Sequence, residues 1–303
     1  MNRLLRRAVR PGFPWTAPQW PPSLPRPLPP SSLGAGYDTE WARREPVRVA
    51  RAVLMDSVAR GAVKVLASPR VSGLDRIAGL EAPAIFAANH ASHVDTPLLL
   101  TALPARFRHR SAVAAAADYF FDRRWKAALW AFAINAIPVE RARVTRRSIG
   151  QAVGLLNEGW SLLIYPEGGR SPDGWAQAFR GGAAYLSVHT GLPVVPVHVE
   201  GTHRILPRQG RRIRPGHTRV TFGAPIRAHQ GEDTRAFASR IETAVSVLAD
   251  EGATDWWAAR RRAAQGTTPR LTGPRAGSWR RAWELEDRSP GRRAQERPGS
   301  WAL

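Results

Sequence analysis

Apolar residues recur at close to a 3.6-residue period between Trp41 and Leu66, and basic residues occupy several of the intervening positions. The apolar positions are Val47, Ala50, Leu54, Val58, Ala62 and Val65. This spacing predicts an amphipathic helix or pair of helices over residues 40–67. Two placements fit such a segment: the apolar stripe packs on a protein core, or it lies on an anionic membrane surface.

Short β-like runs alternate with helix-like runs through the middle of the chain. The β-like runs are residues 83–88, 111–117, 136–140, 161–166, 193–199 and 218–223, and helix candidates lie near 97–103, 120–133, 143–158, 176–189 and 233–249. The alternation predicts an α/β domain over residues 40–250, with a largely parallel or mixed sheet flanked by helices. The alternating runs begin near residue 83, so the catalytic part is expected at 80–250. In such sheets ligands bind at the carboxyl ends of the strands.

The two ends of the chain differ from this domain. Residues 1–39 include nine prolines within 11–30, so we expect a disordered, Pro-rich head. Residues 251–303 contain Arg and Trp without a sustained period, so we expect a weakly ordered tail. No run reaches the roughly 18–20 continuous apolar residues of a spanning helix.

Charge adds a preference for anionic partners. The chain has 45 Lys and Arg against 24 Asp and Glu, a formal net charge of +21. Phosphorylated substrates, an acidic carrier protein, anionic lipid and nucleic acid all fit that charge. Only Lys64 and Lys126 are lysines, and the abundance of Arg, Ala, Gly and Pro is typical of a bacterial genome of high GC content. The absence of cysteine excludes disulfides, thiolate catalysis and cysteine-bound metals.

The stretch AANHASHVDTPLLL, residues 87–100, places His90, His93 and Asp95 between a predicted strand and a predicted helix. Asp95 could orient the His90 imidazole as a general base, or it could cap the helix beside an ordinary loop histidine. The three residues could also ligate a metal. Ser92 is a less favoured candidate nucleophile.

Two more blocks supply groups for an anion. YPEGGRS, residues 165–171, follows a predicted strand with Glu167, Gly168, Gly169, Arg170 and Ser171. Paired glycines let backbone N–H groups approach an anion, and arginine offers a bidentate fork for phosphate. Arg141 ends another predicted strand. Pro196 interrupts the apolar run 192–197, which predicts an edge strand or a bulge near a site.

In this order, the blocks resemble the glycerolipid acyltransferase family, which includes the lysophosphatidate acyltransferases. The family pattern Asn-His-x4-Asp is matched by Asn89, His90 and Asp95, and its strand-terminal arginine by Arg141. Its Glu-Gly-Thr-Arg-Ser block is matched by residues 167–171, followed by Phe179-Arg180-Gly181, and its proline-containing strand by 192–197. Gly169 stands where threonine is usual and Asn135 where glycine is common.

The resemblance implies transfer of a fatty acyl group from acyl-CoA or acyl carrier protein to the hydroxyl of a lysophosphatidate-type acceptor. His90 would be the general base and Asp95 its orienting carboxylate. Arg141 and Arg170 would bind the acceptor phosphate, and Glu167 would organise these arginines or bind the glycerol. The remaining expected substrate-binding residues are Gly168, Gly169 and Ser171. Apart from the acyl donor as co-substrate, no cofactor or metal is expected.

The substrate also suggests peripheral attachment at the cytoplasmic face of the cell membrane. The segment 123–136, with Trp125, Trp130 and Phe132 beside three cations, could enter the bilayer interface or form core. Rival hypotheses are a metal-dependent hydrolase at His90, His93 and Asp95, and a non-enzymatic binder of anionic surfaces; binding to nucleic acid is not expected. Within acyl transfer, glycerol 3-phosphate, another lysophospholipid and a glycolipid intermediate are alternative acceptors.

Overall fold

A seven-stranded mixed sheet is the centre of the protein. The computed structural model describes residues 34–140, 146–208, 210, 212–274 and 276–287. The strands are β1 (Pro69–Ser72), β2 (Ile85–Ala88), β3 (Ser111–Ala116), β4 (Ala136–Val139), β5 (Ser161–Ile164), β6 (Val194–Glu200) and β7 (Thr218–Phe222). Their order is β1-β7-β6-β2-β5-β3-β4. Neighbouring strands are parallel except for β6 and β7, which are antiparallel.

Helices cover both faces of the sheet. Those of the first half are α1 (Glu45–Leu54), α2 (Arg60–Ala67), α3 (Asp95–Ala102), α4 (Ala105–Arg108), α5 (Ala117–Phe120) and α6 (Arg124–Ile134). The others are α7 (Arg146–Asn157), α8 (Gly182–Thr190), α9 (Thr202–Ile205), α10 (Thr234–Ala253), α11 (Trp256–Ala264) and α12 (Ser278–Asp287). No helix of these described residues is long and apolar enough to cross a bilayer.

Alternate strand residues serve two separate cores, as a sheet covered on both faces requires. Phe86 of β2 faces a core shared with α2, α3 and α6. The next residue back, Ile85, faces a second core shared with α7, α8 and α10. The predicted α/β architecture with a mixed sheet flanked by helices is therefore confirmed.

The sequence prediction missed β1, and of its two alternatives at Pro196, an edge strand or a bulge, the structure shows the bulge. β1 is a short edge strand that begins with proline and is largely exposed, so it carries almost no apolar signal. β6 is internal, so the edge-strand alternative at Pro196 is wrong. Between the Val194–Ile226 bridge and the Val197–Phe222 pair, the chain opposite β6 has one extra residue, which forms a bulge beside Pro196.

The helix prediction for 40–67 is confirmed, but another face is buried. A π-helical turn, Met55–Ala59, joins α1 to α2. Met55, Val63 and Arg51 are buried, whereas four members of the predicted apolar stripe are exposed, namely Ala50, Val58, Ala62 and Val65. The Arg51 guanidinium is accommodated because it donates to the carbonyls of Ala42 (2.8 Å) and Phe132 (3.5 Å).

Helix α6 divides the segment 123–136 between core and surface. Trp130 packs edge-on against Phe120, with 5.2 Å between ring centroids, at the border of the first core. Trp125 and Leu129 are exposed. The core placement therefore holds for Trp130, whereas entry of the exposed Trp125 and Leu129 into the bilayer interface stays a prediction.

The prediction of a weakly ordered tail is wrong for the described part of 251–303. Helix α10 continues to Ala253, and α11 and α12 follow. These helices have too few apolar side chains to produce a helical period in the sequence. An ion pair between Arg262 of α11 and Asp250 of α10 (2.7 Å) joins two of them. The predicted Pro-rich head lies mostly outside the described residues.

The predicted helix 176–189 begins later than expected, at Gly182. The N–H groups of Ala176, Gln177 and Phe179 donate to Leu271, Glu167 and Glu242 respectively. Because these partners accept the backbone hydrogen bonds that a helix would otherwise make, residues 176–181 form a loop that contacts Glu167.

Candidate active site

Two motif blocks meet because β2 and β5 are parallel neighbours in the sheet. His90 follows the carboxyl end of β2, and Glu167 follows that of β5. The N–H of His90 donates to Oε1 of Glu167 over 2.7 Å, and the N–H of Ser171 donates to the carbonyl of His90 over 2.7 Å. The structure therefore joins blocks that are 77 residues apart in sequence.

His90 and Asp95 form the predicted imidazole–carboxylate pair. Nδ1 of His90 lies 2.8 Å from Oδ2 of Asp95. An ionised carboxylate only accepts hydrogen bonds, so Nδ1 carries the proton and Nε2 keeps its lone pair. The His90 side chain is 14% exposed and that of Asp95 is fully buried. This arrangement suits proton abstraction from a group brought to Nε2.

Asp95 also closes the turn between β2 and α3. Its Oδ2 accepts the N–H groups of Ala91 and Ser92, each over 2.8 Å. Asp95 is the first residue of α3, where a negative charge interacts favourably with the helix dipole. The same carboxylate thus shapes the turn and contacts His90, whereas the alternative that Asp95 caps the helix is not found, because no side chain caps the first turn of α3.

Tyr165 stacks on the His90 imidazole. The ring centroids are 4.0 Å apart and the planes are inclined by 17°. The Tyr165 hydroxyl lies 3.0 Å from Oγ1 of Thr96, which anchors the far end of the ring. Sequence reasoning missed this residue, although its place directly before Pro166-Glu167 puts it at the carboxyl end of β5.

Glu167 accepts backbone hydrogen bonds from two loops of the site. It is buried, and its two oxygens accept the N–H groups of His90 and Gln177, each over 2.7 Å. Burial raises the pKa of Glu167 to about 8, against the opposing effect of these two backbone hydrogen bonds. Glu167 therefore holds the two loops together, and its expected role in organising the arginines or binding the glycerol stays a prediction.

Gly168 needs glycine for two reasons. Its φ is +72°, and an added Cβ would lie 3.0–3.1 Å from the Arg180 guanidinium. Its N–H donates to the Tyr165 carbonyl, so this amide is already used within a turn. The expected approach of an anion to Gly168 stays a prediction, and Arg180 is a cation beside the turn whose role sequence reasoning did not assign.

Arg170 and Ser171 behave differently within the same loop. The Arg170 guanidinium donates to the Arg208 carbonyl (3.4 Å), and Arg208 donates back to the Arg170 carbonyl (3.1 Å). Ser171 is buried, and its hydroxyl oxygen accepts the N–H groups of Asp173 and Gly174. Ser171 shapes the loop, and its expected part in substrate binding stays a prediction, whereas Arg170 presents charge beside the site.

His93 does not converge with His90 and Asp95. Its Nε2 lies 3.2 Å from the Tyr119 hydroxyl, and its ring stacks on that of Tyr119. Burial, with the nearby charge of Arg170, lowers the pKa of His93 to about 4. Within the described residues no group of three or more His, Cys, Asp or Glu side chains could hold a metal ion.

Of the other predicted residues, Ser92 and Asn89 make hydrogen bonds within the fold, and Arg141 is not among the residues that the structure describes. The Ser92 hydroxyl is buried and donates to the Leu206 carbonyl over 2.8 Å, a poor position for a nucleophile. The Asn89 side chain exchanges two hydrogen bonds with the Val199 backbone and so joins β2 to β6. Arg141, the strand-terminal arginine, lies outside the described residues.

Sequence comparison identifies the domain that carries this site. The sequence model of the family described as Acyltransferase matches residues 68–200, which include β1 to β6 and the His90–Asp95 pair. These residues therefore resemble the acyltransferase family. The matched residues contain both blocks joined at the carboxyl ends of β2 and β5.

Relatives with assigned activities match part of this chain. The chloroplastic 1-acyl-sn-glycerol-3-phosphate acyltransferase of Arabidopsis thaliana is 28% identical over 166 residues, covering 54% of this chain and 44% of that protein. The 1-acyl-sn-glycerol-3-phosphate acyltransferase of Pseudomonas aeruginosa is 34% identical over 126 residues, covering 40% and 48%. The chain therefore spans less than half the length of these relatives.

A solved structure shares the fold. The crystal structure of the 1-acyl-sn-glycerophosphate acyltransferase PlsC from Thermotoga maritima aligns with a TM-score of 0.54 and 24% identity. The alignment covers 71% of this chain and 83% of that one. It extends the similarity of fold beyond the residues of the family match.

Proposed function

We propose that the protein transfers a fatty acyl group from acyl-CoA or acyl carrier protein to the free hydroxyl of a lysophosphatidate-type acceptor. The observation that carries the proposal is the His90–Asp95 contact of 2.8 Å at the junction of β2 and β5, within the residues that resemble the acyltransferase family. The relatives named above act on 1-acyl-sn-glycerol 3-phosphate, which supports this class of acceptor.

The proposed reaction needs one general base and no covalent acyl-enzyme. Nε2 of His90 takes the proton of the acceptor hydroxyl as its oxygen attacks the thioester carbonyl carbon. Asp95 stabilises the imidazolium that forms. Collapse of the tetrahedral intermediate breaks the carbon–sulfur bond, and the imidazolium returns its proton to the leaving thiolate. The products are the ester and the free thiol.

The acceptor phosphate is assigned to arginine. Arg170 supports this assignment because it follows Glu167 in the loop that contacts His90, and its charge acts on His93 nearby. Arg141 is the second proposed ligand, on the basis of sequence alone. Guanidinium groups bind phosphate through two parallel hydrogen bonds, which orients the glycerol as well as holding it.

The rival classes have less support. A metal-dependent hydrolase needs His93 beside His90 and Asp95, whereas His93 pairs with Tyr119. A non-enzymatic binder does not account for the buried Asp95 oriented on His90. Within acyl transfer, glycerol 3-phosphate, another lysophospholipid and a glycolipid intermediate remain alternative acceptors.

Attachment to the cytoplasmic face of the membrane is part of the same proposal. Val53, Val58 and Val65 of α1, the π-helical turn and α2 are exposed, although each is apolar. Trp125 and Leu129 of α6 are exposed too, and α6 contacts α1 through Arg51. Apolar groups beside arginines suit an anionic lipid surface. A protein that never binds anionic vesicles, or resists both high-salt and alkaline extraction, would contradict peripheral attachment.

A panel assay tests the proposed function. Purified protein is supplied with acyl-CoA or acyl carrier protein and, separately, with lysophosphatidate, glycerol 3-phosphate, other lysophospholipids and a glycolipid intermediate. We expect ester formation with lysophosphatidate and release of one thiol per ester. Chelator-sensitive hydrolysis without ester formation would support the hydrolase instead.

A further inference from the structure

The described part of the C-terminal tail contacts the loop that carries Arg170. This loop, residues 170–177, is bonded to the His90 carbonyl through Ser171 and to Glu167 through Gln177. The tail residues 271–274 and 276–285, here called the C-terminal clamp, lie beyond residues 68–200 of the family match. The clamp therefore adds contacts that the family domain does not itself contain.

Arg281 is the centre of the clamp. Its Nε donates to Oδ2 of Asp173 over 2.7 Å, and its Nη1 donates to the carbonyls of Thr272 (3.1 Å) and Pro274 (2.8 Å). One guanidinium thus ties helix α12 to the loop and to the segment that precedes the helix. Lysine has no planar fork and could not reproduce these three contacts.

Trp175 is the side chain of the loop that packs against the clamp. It is 3% exposed, and its Nε1 donates to the Arg281 carbonyl over 2.9 Å. Gly273 lies on its ring: an added Cβ there would lie 2.3 Å from a ring carbon, and the φ of Gly273 is +70°. The N–H of Ala176 also donates to the Leu271 carbonyl over 3.2 Å.

The contacts continue from the clamp to the catalytic histidine. Arg281 holds Asp173, whose N–H donates to the Ser171 hydroxyl oxygen, and the Ser171 N–H donates to the His90 carbonyl. Arg170 lies next to Ser171 in the chain. Fixing this turn thus fixes the starting point of the Arg170 side chain relative to His90.

We propose that the C-terminal clamp positions the loop 170–177 for the acyl acceptor, with Arg281 and Gly273 as positioning residues. Its kinetic consequence rests on the proposed function. A group that only orders the phosphate-binding loop contributes equally to ground-state and transition-state binding, so its loss raises the acceptor KM. The donor KM and kcat stay near their wild-type values.

Two matched pairs of variants test the clamp. Arg281→Ala is compared with Arg280→Ala, which removes the same charge from the adjacent residue, paired with Glu284 instead of Asp173. Gly273→Ala is compared with Gly277→Ala, where an added Cβ meets nothing closer than 3.7 Å. For Arg281→Ala we expect the acceptor KM to rise about 3- to 30-fold, as expected for losing charged hydrogen bonds at a partly exposed site. For Gly273→Ala we expect a rise in the same direction, because the added Cβ would displace the Trp175 ring.

Hydrogen exchange gives a second readout that needs no substrate. Peptides covering 170–177 should exchange faster in Arg281→Ala and Gly273→Ala than in wild type, and at the wild-type rate in the two controls. General destabilisation would instead lower kcat and accelerate exchange across the sheet. An unchanged acceptor KM with unchanged exchange in 170–177 would overturn the proposal. If wild type acylates no acceptor, the proposed function fails, and the exchange data alone decide whether the clamp orders the loop.

Discussion

Glu167 accepts the backbone N–H of His90 over 2.7 Å, so the block after β5 holds the block after β2 by its main chain. The second oxygen of Glu167 holds Gln177 in the same way. Both carboxyl oxygens of Glu167 accept hydrogen bonds, so the side chain stabilises the arrangement of the two loops. Because the side chain is buried, ionising its carboxyl group costs free energy.

The charge on Glu167 should make stability depend on pH. Burial raises its pKa from the usual 4.5 to about 8. Between these values the folded protein retains a proton that the unfolded chain releases, so the free energy of unfolding should fall as pH rises from about 5 to 8. Glu167→Gln removes this titration. Urea unfolding of both proteins across that range should show wild type losing stability relative to the variant; parallel curves would contradict the assignment.

Tyr165 should support catalysis through its ring and not through its hydroxyl. Aromatic stacking contributes about 0.5–1.5 kcal/mol beyond burial, so Tyr165→Leu should lower kcat about 2- to 12-fold by loosening His90. Tyr165→Phe keeps the ring and serves as the matched control. Steady-state kinetics on folded enzyme distinguish the two; an equal loss in both variants would assign the effect to the hydroxyl bonded to Thr96.

Arg141 should act on acceptor binding. Charge-assisted hydrogen bonds are worth roughly 1.5–3 kcal/mol, so Arg141→Ala should raise the acceptor KM about 10- to 150-fold and leave the donor KM little changed. Arg141→Lys should recover only part, because an ammonium lacks the planar fork. The measurement varies each substrate in turn. If only donor binding weakens, Arg141 contacts the donor's phosphates and the pocket assignment is reversed.

The sequence predicted the sheet and the His90–Asp95 pair because both leave local signals. Apolar runs identified six of the seven strands, and the four residues between His90 and Asp95 suffice for a turn. β1 was missed because an exposed edge strand needs no apolar run. The burial of Arg51 in α1 could not be predicted, because the carbonyls that accept its hydrogen bonds belong to Ala42 and Phe132 outside that helix.

The partners of Glu167 and Ser171 could not be predicted from the sequence. Both residues belong to a block whose composition suggests anion binding, yet Glu167 accepts the backbone N–H groups of His90 and Gln177, and the Ser171 hydroxyl accepts that of Gly174 within its own loop. The tail shows no apolar period because it is held to the loop 170–177 mainly by hydrogen bonds of Arg281 and by the buried ring of Trp175 in that loop. Such contacts depend on three-dimensional proximity, which residue spacing does not encode.

The turnover of His90→Ala tests the central claim most directly. General-base catalysis contributes about 10²–10⁴-fold, so this variant should lose at least about 100-fold in kcat with lysophosphatidate and acyl-CoA, and Asp95→Asn should be similarly impaired. His93→Ala is the control, since His93 pairs with Tyr119. Near-normal turnover of folded His90→Ala would contradict the mechanism, and equal damage from His93→Ala with loss of a bound metal would favour the hydrolase.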